Sequence, residues 1–411
     1  MKYGLIGERL GHSFSKVIHE KLGKYEYETC EIAPEKLDAF MKAKDFLGIN
    51  VTMPYKSAVI PYLDEIDEVA KEIGAVNTVV NRDGKLYGYN TDYYGMKELF
   101  AHAGIDASGR KAIILGSGGT SKTAKAVLKK LGARQVIRVS RSGKDNSATY
   151  AQAVENHLDA EIVVNTTPLG MYPEVLDMPT IIFSMKNPLG VIDAIYNPIR
   201  TMTVMESRAY GAKAEGGLYM LVAQAVKASE FFMNTKYPAH TTEKVYREVL
   251  REKENIVLIG MPTSGKSTVG KIIAHKLGRR FVDTDEEIER LTKMTVSDIF
   301  EQEGECAFRR MEEEVINRLS GETSLVIATG GGAAMSAKNI YILKLNGKIF
   351  FIDRPLDKLV PTKSRPLSSD RQSIERRYNE RYSTYCNRCD VKIDADATPE
   401  EVAERILEKF L

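Results

Sequence analysis

Two successive α/β folds built on parallel sheets are predicted by three features of this sequence. Short apolar segments alternate with amphipathic, helix-like stretches along the chain. Two of those segments, KAIIL from Lys111 and IVLI from Ile256, run directly into glycine-rich loops followed by helical patterns. The second restarts the pattern after a charged stretch, and 411 residues suffice for two or three domains of roughly 150 each.

The elements follow in order. Residues 1–100 give short strands at KYGLIG, YEYETCEI, FLGINVTM, AVNTVV and KLYGYN, with a helical-looking segment from Val59 to Ile73. This is an open α/β body. From residue 101 to 235, KAIIL, a helix reaching about Leu131 and VIRV complete one βαβ unit. EIVVNTT and VIDAIYN supply further buried strands, and EGGLYMLVAQAVKASEFF a long helix returning to the first body. Residues 236–254, beginning at KYPAHTTEKVYREVL, form a charged helix or semi-rigid linker. Residues 255–411 form the second fold, with strands at IVLIG, FVD, LVIA and IFFI.

Composition narrows the function classes. Hydrophobic residues are 43% and charged residues 28%, which excludes extended disorder, and no periodic Gly repeat suggests a fibre. A formal net charge of +2 produces no overall field for nucleic acid or a membrane surface, so neither is expected as a partner. Four cysteines make no disulfide framework, and the single CxxC, Cys386 and Cys389, lacks the second pair or histidines of a zinc site. No run approaches about 18 uninterrupted apolar residues, and MKYGLIGERLGHSFSK lacks the apolar core of a leader, so a cytoplasmic location is expected.

The first glycine loop, Gly116, Ser117, Gly118 and Gly119 with Thr120, lies between strand and helix, where missing side chains admit a pyrophosphate to backbone N–H groups. A tight turn without a ligand would use the same residues. After VIRV, Ser140, Arg141, Ser142 and Lys144 stand where an NAD-selective site would often place an acid. A guanidinium and an ammonium there favour a 2'-phosphate, while a basic surface turn is the alternative.

The second loop, Gly260, Met261, Pro262, Thr263, Ser264, Gly265, Lys266 and Ser267, meets the full GxxxxGK[ST] rule and continues into Thr268. Its backbone donors can wrap phosphate, Lys266 can reach β and γ oxygens, and Ser267 can ligate Mg. Asp283 and Asp285 in FVDTDEEIE are two apart at a strand end, suited to adjacent work on metal and alcohol, or else an exposed acidic helix start.

Taken together, HSFS, NVTMPYK, GAVNTVV, GYNTDYYG, NTTPLGM, DAIYNP and GLYMLVAQ resemble the shikimate dehydrogenase family over essentially residues 1–235. The resemblance implies a Rossmann-like NADP domain beside a substrate domain. Ser13 and Ser15 then bind the substrate carboxylate; Asn50, Thr52, Asn77, Asp92, Tyr196 and Gln224 surround the ring hydroxyls. Lys56 moves the proton, paired with Asp92, as 3-dehydroshikimate and NADPH become shikimate and NADP. Two positions depart from the family pattern: Lys16 stands where Pro is usual, and Ser140 where Asn precedes the cofactor-motif Arg.

FVDTD, FRRMEEE, TGGGA and SRPL, in that order, resemble shikimate kinase over about 255–411, a P-loop α/β fold of nucleoside-monophosphate-kinase type. That implies MgATP as co-substrate. Asp283 becomes the Mg-associated acid, Asp285 the group holding the shikimate hydroxyls, Arg309 and Arg381 the carboxylate arginines, Gly330, Gly331 and Gly332 a close-approach loop, and Arg365 a lid residue on the transferred phosphate. Lys358 is the nearest cation where an adenine-facing Arg is usual, and Asp353 is a competing Mg residue whose favoured role is structural. The combined expectation is a bifunctional enzyme making shikimate and phosphorylating it to shikimate 3-phosphate. The alternatives are a quinate-like acid as substrate and a nucleotide-regulated binding protein without turnover.

Overall fold

The computed structural model describes the chain apart from His12, Lys24, Asp145, residues 362–369 and Leu411. It divides into two compact units. The first comprises Met1–Gly170, Asp177–Tyr196 and Thr203–Val249; the second comprises Met171–Leu176, Asn197–Met202 and Leu250–Leu411.

In the first unit, strands β1 (Tyr3–Gly7), β2 (Glu28–Glu31), β3 (Gly48–Val51), β4 (Glu65–Ile66), β5 (Thr78–Arg82) and β6 (Lys85–Tyr89) form a mixed sheet in the order β2-β1-β3-β5-β6-β4. A second, wholly parallel sheet contains β7 (Lys111–Leu115), β8 (Gln135–Val139), β9 (Ile162–Asn165), β10 (Gly190–Asp193) and β11 (Lys213–Glu215), in the order β11-β10-β9-β7-β8. The sequence of β7 explains its central place. Ile114 packs into one apolar cluster and Ile113 with Leu115 into another, so both faces are covered and the strand reads as a continuous apolar run. Helix Leu218–Met233 returns to the mixed sheet, where the Phe232 ring occupies the space a Cβ on Gly48 would need.

The segment from Val59 to Ile73 is not one helix. It divides into a 3-10 turn at Ile60–Tyr62 that contains Pro61, the edge strand β4 and a short helix Glu68–Ile73. Two aspartates impose this. Asp64 accepts from the Leu86 N–H at 2.7 Å, and Asp67 caps the helix by accepting from the Val69 N–H at 3.1 Å. Its apolar spacing is helical, but these polar side chains satisfy the backbone otherwise.

The second unit is built on the parallel sheet β13-β14-β12-β15-β16, with β12 (Asn255–Ile259), β13 (Arg280–Asp283), β14 (Leu325–Ala328), β15 (Gly347–Asp353) and β16 (Val391–Asp394). Val257 and Ile259 bury on one face of β12, Ile256 and Leu258 on the other. Within this unit Arg200 is held at several points. Its Nη2 donates to Glu254 Oε1 at 2.5 Å and to the Gly347 carbonyl at 3.0 Å, its Nε to the Lys344 carbonyl at 3.1 Å, and its backbone N–H to the Leu345 carbonyl. Helix Thr241–Lys253 occupies most of the predicted helix or linker. Among the described residues no helix is long and apolar enough to cross a membrane.

Two candidate active sites

The first site gathers at the end of β3 and the start of helix Thr91–His102. Asn90 caps that helix by accepting from the Tyr93 N–H at 3.1 Å, which fixes Asp92 in its first turn, where the helix dipole favours a carboxylate. Lys56 Nζ donates to Asp92 Oδ2 at 2.6 Å, with the two side chains 23% and 16% exposed. The pair is thus shielded but reachable.

Around it the buried amides interlock. Asn77 Oδ1 accepts from the Thr91 N–H at 2.6 Å, Asn50 Nδ2 donates to Thr78 Oγ1 at 3.0 Å, and Thr91 Oγ1 donates to Gln224 Oε1 at 3.2 Å. Tyr27 holds Asn50 from behind, donating to its Oδ1 at 2.7 Å. The Thr78 and Thr91 hydroxyls lie 3.0 Å apart and join these amides into one network. Neither threonine nor Tyr27 stands among the predicted residues; NTV and NTD contain the threonines, each beside a residue that is singled out.

Ser13 and Ser15 also come together, their hydroxyls 3.0 Å apart, and the Ser15 N–H donates to Ser13 Oγ at 3.2 Å. The Thr52 methyl lies over Gly7, where a Cβ would approach it to 2.6 Å. Tyr196 packs on Phe14 with ring centroids 5.4 Å apart, and burial raises its phenol pKa.

The glycine loop follows β7, next to the point where the strand order turns from β8 on one side to β9 on the other. Gly116 has φ +115°, and a Cβ there would meet Thr166 Oγ1 at 2.6 Å. At Gly118 and Gly119 a Cβ would meet nothing within 4 Å, and the helix Gly119–Lys130 begins there. Ser117 is exposed and Thr120 half-buried. Ser140 is buried. Its hydroxyl pairs with Ser147 Oγ at 2.7 Å and accepts from the Gly143 N–H at 3.1 Å, which folds the turn presenting the exposed Arg141, Ser142 and Lys144.

In the second unit, Gly265 at φ +95° caps the helix Lys266–Leu277. Gly260 has φ +147°, and a Cβ there would approach the Ile352 carbonyl to 2.8 Å. Met261, Pro262 and Ser264 are buried within the loop, Thr263 is half-buried and Thr268 is exposed. Lys266 Nζ donates to the Gly260 and Met261 carbonyls at 3.0 and 2.9 Å, so the loop itself positions the ammonium. Ser267 Oγ donates to Asp283 Oδ2 at 2.5 Å, while Asp283 Oδ1 accepts from the Asp285 N–H at 3.0 Å. A hydroxyl and a carboxylate in contact beside a phosphate loop form a donor set that fits Mg shared with nucleotide oxygens. Among the described residues no cluster of three or more His, Cys, Asp or Glu side chains could hold a metal alone.

The TGGGA loop lies across this site. A Cβ on Gly330 would come within 2.5 Å of Asp285 Oδ1 and 2.8 Å of Glu312 Oε1; one on Gly332 would come within 2.3 Å of Arg309 Nη2. Arg381 Nη1 donates to the Gly331 carbonyl at 3.1 Å, and the Tyr385 hydroxyl donates to the same oxygen. Arg309 Nη1 donates to Glu312 Oε2 at 2.9 Å. Burial pushes the Glu312 carboxyl up to about 7 against the opposing pull of Arg309, with the Asp285 charge adding to the rise. Glu312 and Tyr385 are absent from the predicted set; the i,i+3 spacing of Arg309 and Glu312 in FRRMEEE was the available signal.

Asp353 accepts from the Tyr382 hydroxyl at 3.1 Å and pairs with Lys392 at 2.8 Å, a structural use of that carboxylate. Lys358 pairs with Asp396. Cys386 and Cys389 are free thiols, packed at the edge of the core. Arg365 lies outside the described residues.

Comparison with known proteins matches these two arrangements separately. Over 259 residues the chain is 39% identical to the shikimate dehydrogenase (NADP(+)) of Clostridium beijerinckii, covering 59% of this chain and 96% of that protein. The chain belongs to the shikimate dehydrogenase family. The family model for the shikimate dehydrogenase substrate binding domain matches residues 5–79. The shikimate kinase family model matches residues 262–411, so a domain of that family is fused behind the dehydrogenase. Among solved structures, shikimate dehydrogenase 1 from Peptoclostridium difficile is 38% identical with a TM-score of 0.55, covering 61% of this chain and 98% of that one. The Thermus thermophilus shikimate 5-dehydrogenase, solved with NADP(H) and shikimate, is 28% identical with a TM-score of 0.53, covering 60% of this chain and 99% of that one.

Proposed function

We propose that this shikimate dehydrogenase–shikimate kinase fusion reduces 3-dehydroshikimate to shikimate with NADPH and phosphorylates shikimate to shikimate 3-phosphate with MgATP. The observation that carries the reading is the coexistence of the Lys56–Asp92 pair, beside interlocked Asn50, Asn77 and Gln224, with the Ser267–Asp283 pair at a complete phosphate loop.

In the first reaction Ser13 and Ser15 donate to the carboxylate, and the amides with Thr52 and Tyr196 read the ring hydroxyls. Lys56 delivers a proton to the oxygen that becomes the alcohol, and Asp92 orients the ammonium and the substrate. Gly116–Thr120 would hold NADPH and Arg141, Ser142 and Lys144 would bind its 2'-phosphate; the cofactor would supply the hydride. Ser140 shapes that turn through Ser147 and the Gly143 N–H.

In the second reaction Arg309 and Arg381 hold the carboxylate with bidentate geometry, and Asp285 accepts the hydroxyl to be phosphorylated. The backbone of residues 260–268 with Lys266 cradles the nucleotide phosphates, and Arg365 reaches the group in transit. Ser267 and Asp283 would hold Mg, which would supply charge neutralisation at the phosphate oxygens. Gly330, Gly331 and Gly332 let the substrate approach backbone.

A one-pot assay tests the reading: 3-dehydroshikimate, NADPH and MgATP with the purified full chain, following shikimate and its phosphate, each cofactor omitted in turn. Shikimate accumulates without ATP, and no product forms from 3-dehydroshikimate without NADPH. A parallel assay with quinate tests substrate class. Nucleotide binding without either transfer would reject the proposal.

A further inference from the structure

A cavity of about 610 Å³ opens in the first unit, lined by none of the residues assigned above. It is bounded by the residues entering three parallel strands: Arg110 before β7, Lys186 and Leu189 before β10, and Lys213 at the start of β11. The glycine loop leaves the opposite, carboxyl end of β7, five residues further at about 3.3 Å each, so the cavity and that loop lie on the order of 15 Å apart.

Three observations define what the cavity would accept. Phe183 and Tyr210, 39% and 71% exposed, line it with ring centroids 5.3 Å apart, an aromatic pair left in water where apolar surface is costly. The lining carries three cations against one carboxylate, Asp106. Arg110 is balanced by Glu161, and Lys213 Nζ donates to the Gly104 carbonyl. The Lys186 ammonium has neither an ion pair nor a hydrogen bond among the described residues. Finally, Ser207 also lines the cavity; it is 2% exposed, and its hydroxyl has no hydrogen-bond partner among the described residues.

We infer that this cavity is a second ligand site, for a small aromatic carboxylate: a flat ring against Phe183 and Tyr210, its anion toward Lys186. Its volume falls in the range of small-molecule sites. The site stands apart from both proposed reactions and does not depend on them.

The test uses the intact chain with indole-3-acetate as probe and its neutral alcohol, indole-3-ethanol, as control, read by calorimetry or ligand-observed NMR. The site predicts saturable one-to-one binding of indole-3-acetate, at least tenfold tighter than the alcohol, and undiminished by saturating shikimate and NADP. Lys186→Met sharply reduces the preference for the anion, and Phe183→Ala weakens both ligands about tenfold; both positions are at the surface, and unchanged dehydrogenase turnover verifies folding. No saturable binding, binding competed by shikimate or NADP, or binding indifferent to both substitutions would overturn the inference. So would sedimentation showing that the native chain self-associates through this face, with Tyr210→Ser dissociating it.

Discussion

Replacing Lys56 by Met removes the ammonium while keeping most of the aliphatic stem, and the structure sets how large the effect should be. At 2.6 Å from Asp92 and 23% exposed, the Lys56 amine is placed beside one partner rather than diffusing in water. General acid catalysis contributes about 10²- to 10⁴-fold, equivalent to roughly 3–5 kcal/mol of barrier. Losing the ion pair also leaves the Asp92 carboxylate, 16% exposed, without its cation, a stability cost of about 1–2 kcal/mol. The expected result is therefore a dehydrogenase kcat lowered 10²- to 10⁴-fold, a modest change in KM, a melting temperature lower by a few degrees and kinase turnover unchanged. That last activity, measured in the same preparation, certifies the protein concentration. Lys56→Arg separates charge from proton: a guanidinium stays protonated near neutrality, so it restores attraction for a developing oxyanion but not efficient transfer. A folded Lys56→Met protein retaining dehydrogenase kcat within tenfold of the parent would refute the assignment.

Three further outcomes follow from named contacts. Gly330→Ala sets a methyl within 2.5 Å of Asp285 Oδ1 and 2.8 Å of Glu312 Oε1, so KM for shikimate in phosphorylation rises at least tenfold while dehydrogenase kinetics hold; unchanged KM would show that Asp285 is not placed by this contact. Glu312, raised to about 7 from an ordinary 4.5, keeps its proton in the folded state where the unfolded chain has lost it. Its contribution to stability is full below about pH 4.5 and declines as pH rises to about 7. Glu312→Gln should flatten that portion of the melting-temperature profile, and identical profiles would contradict the shift. Arg200→Ala removes a half-buried guanidinium from Glu254 and the carbonyls of Lys344 and Gly347, costing the second unit about 1–3 kcal/mol, read by chemical denaturation followed through kinase activity.

Both glycine loops and the strands feeding them were legible because a strand covered on both faces carries a continuous apolar run, as AIIL after Lys111 and IVLI after Asn255 do. Lys56 and Asp92, or Ser267 and Asp283, are far apart in sequence, and it was the motif strings around them that brought each pair to notice. What escaped has a different character. Asp64 and Asp67 break a helix-like apolar spacing by capping backbone groups, and spacing alone does not reveal that competition. Thr78, Thr91 and Tyr27 act by satisfying other side chains, so their value depends on partners up to 133 positions away. Glu312 takes its unusual proton affinity from burial, a property no local string encodes. Ser140 reads in sequence only as a cofactor-loop residue, and its hydrogen bonds to Ser147 and the Gly143 N–H become visible only in the fold.

The membership of Asn197–Met202 in the second unit has a practical side for anyone dissecting the chain. A gene fragment started at Leu250, where the continuous part of that unit begins, would keep Glu254 but omit the arginine that neutralises it and closes off carbonyls at the edge of β15. Such a fragment is best rescued by mutating its own orphaned edge, or by supplying the missing hexapeptide in trans, before poor solubility is blamed on the kinase sequence itself.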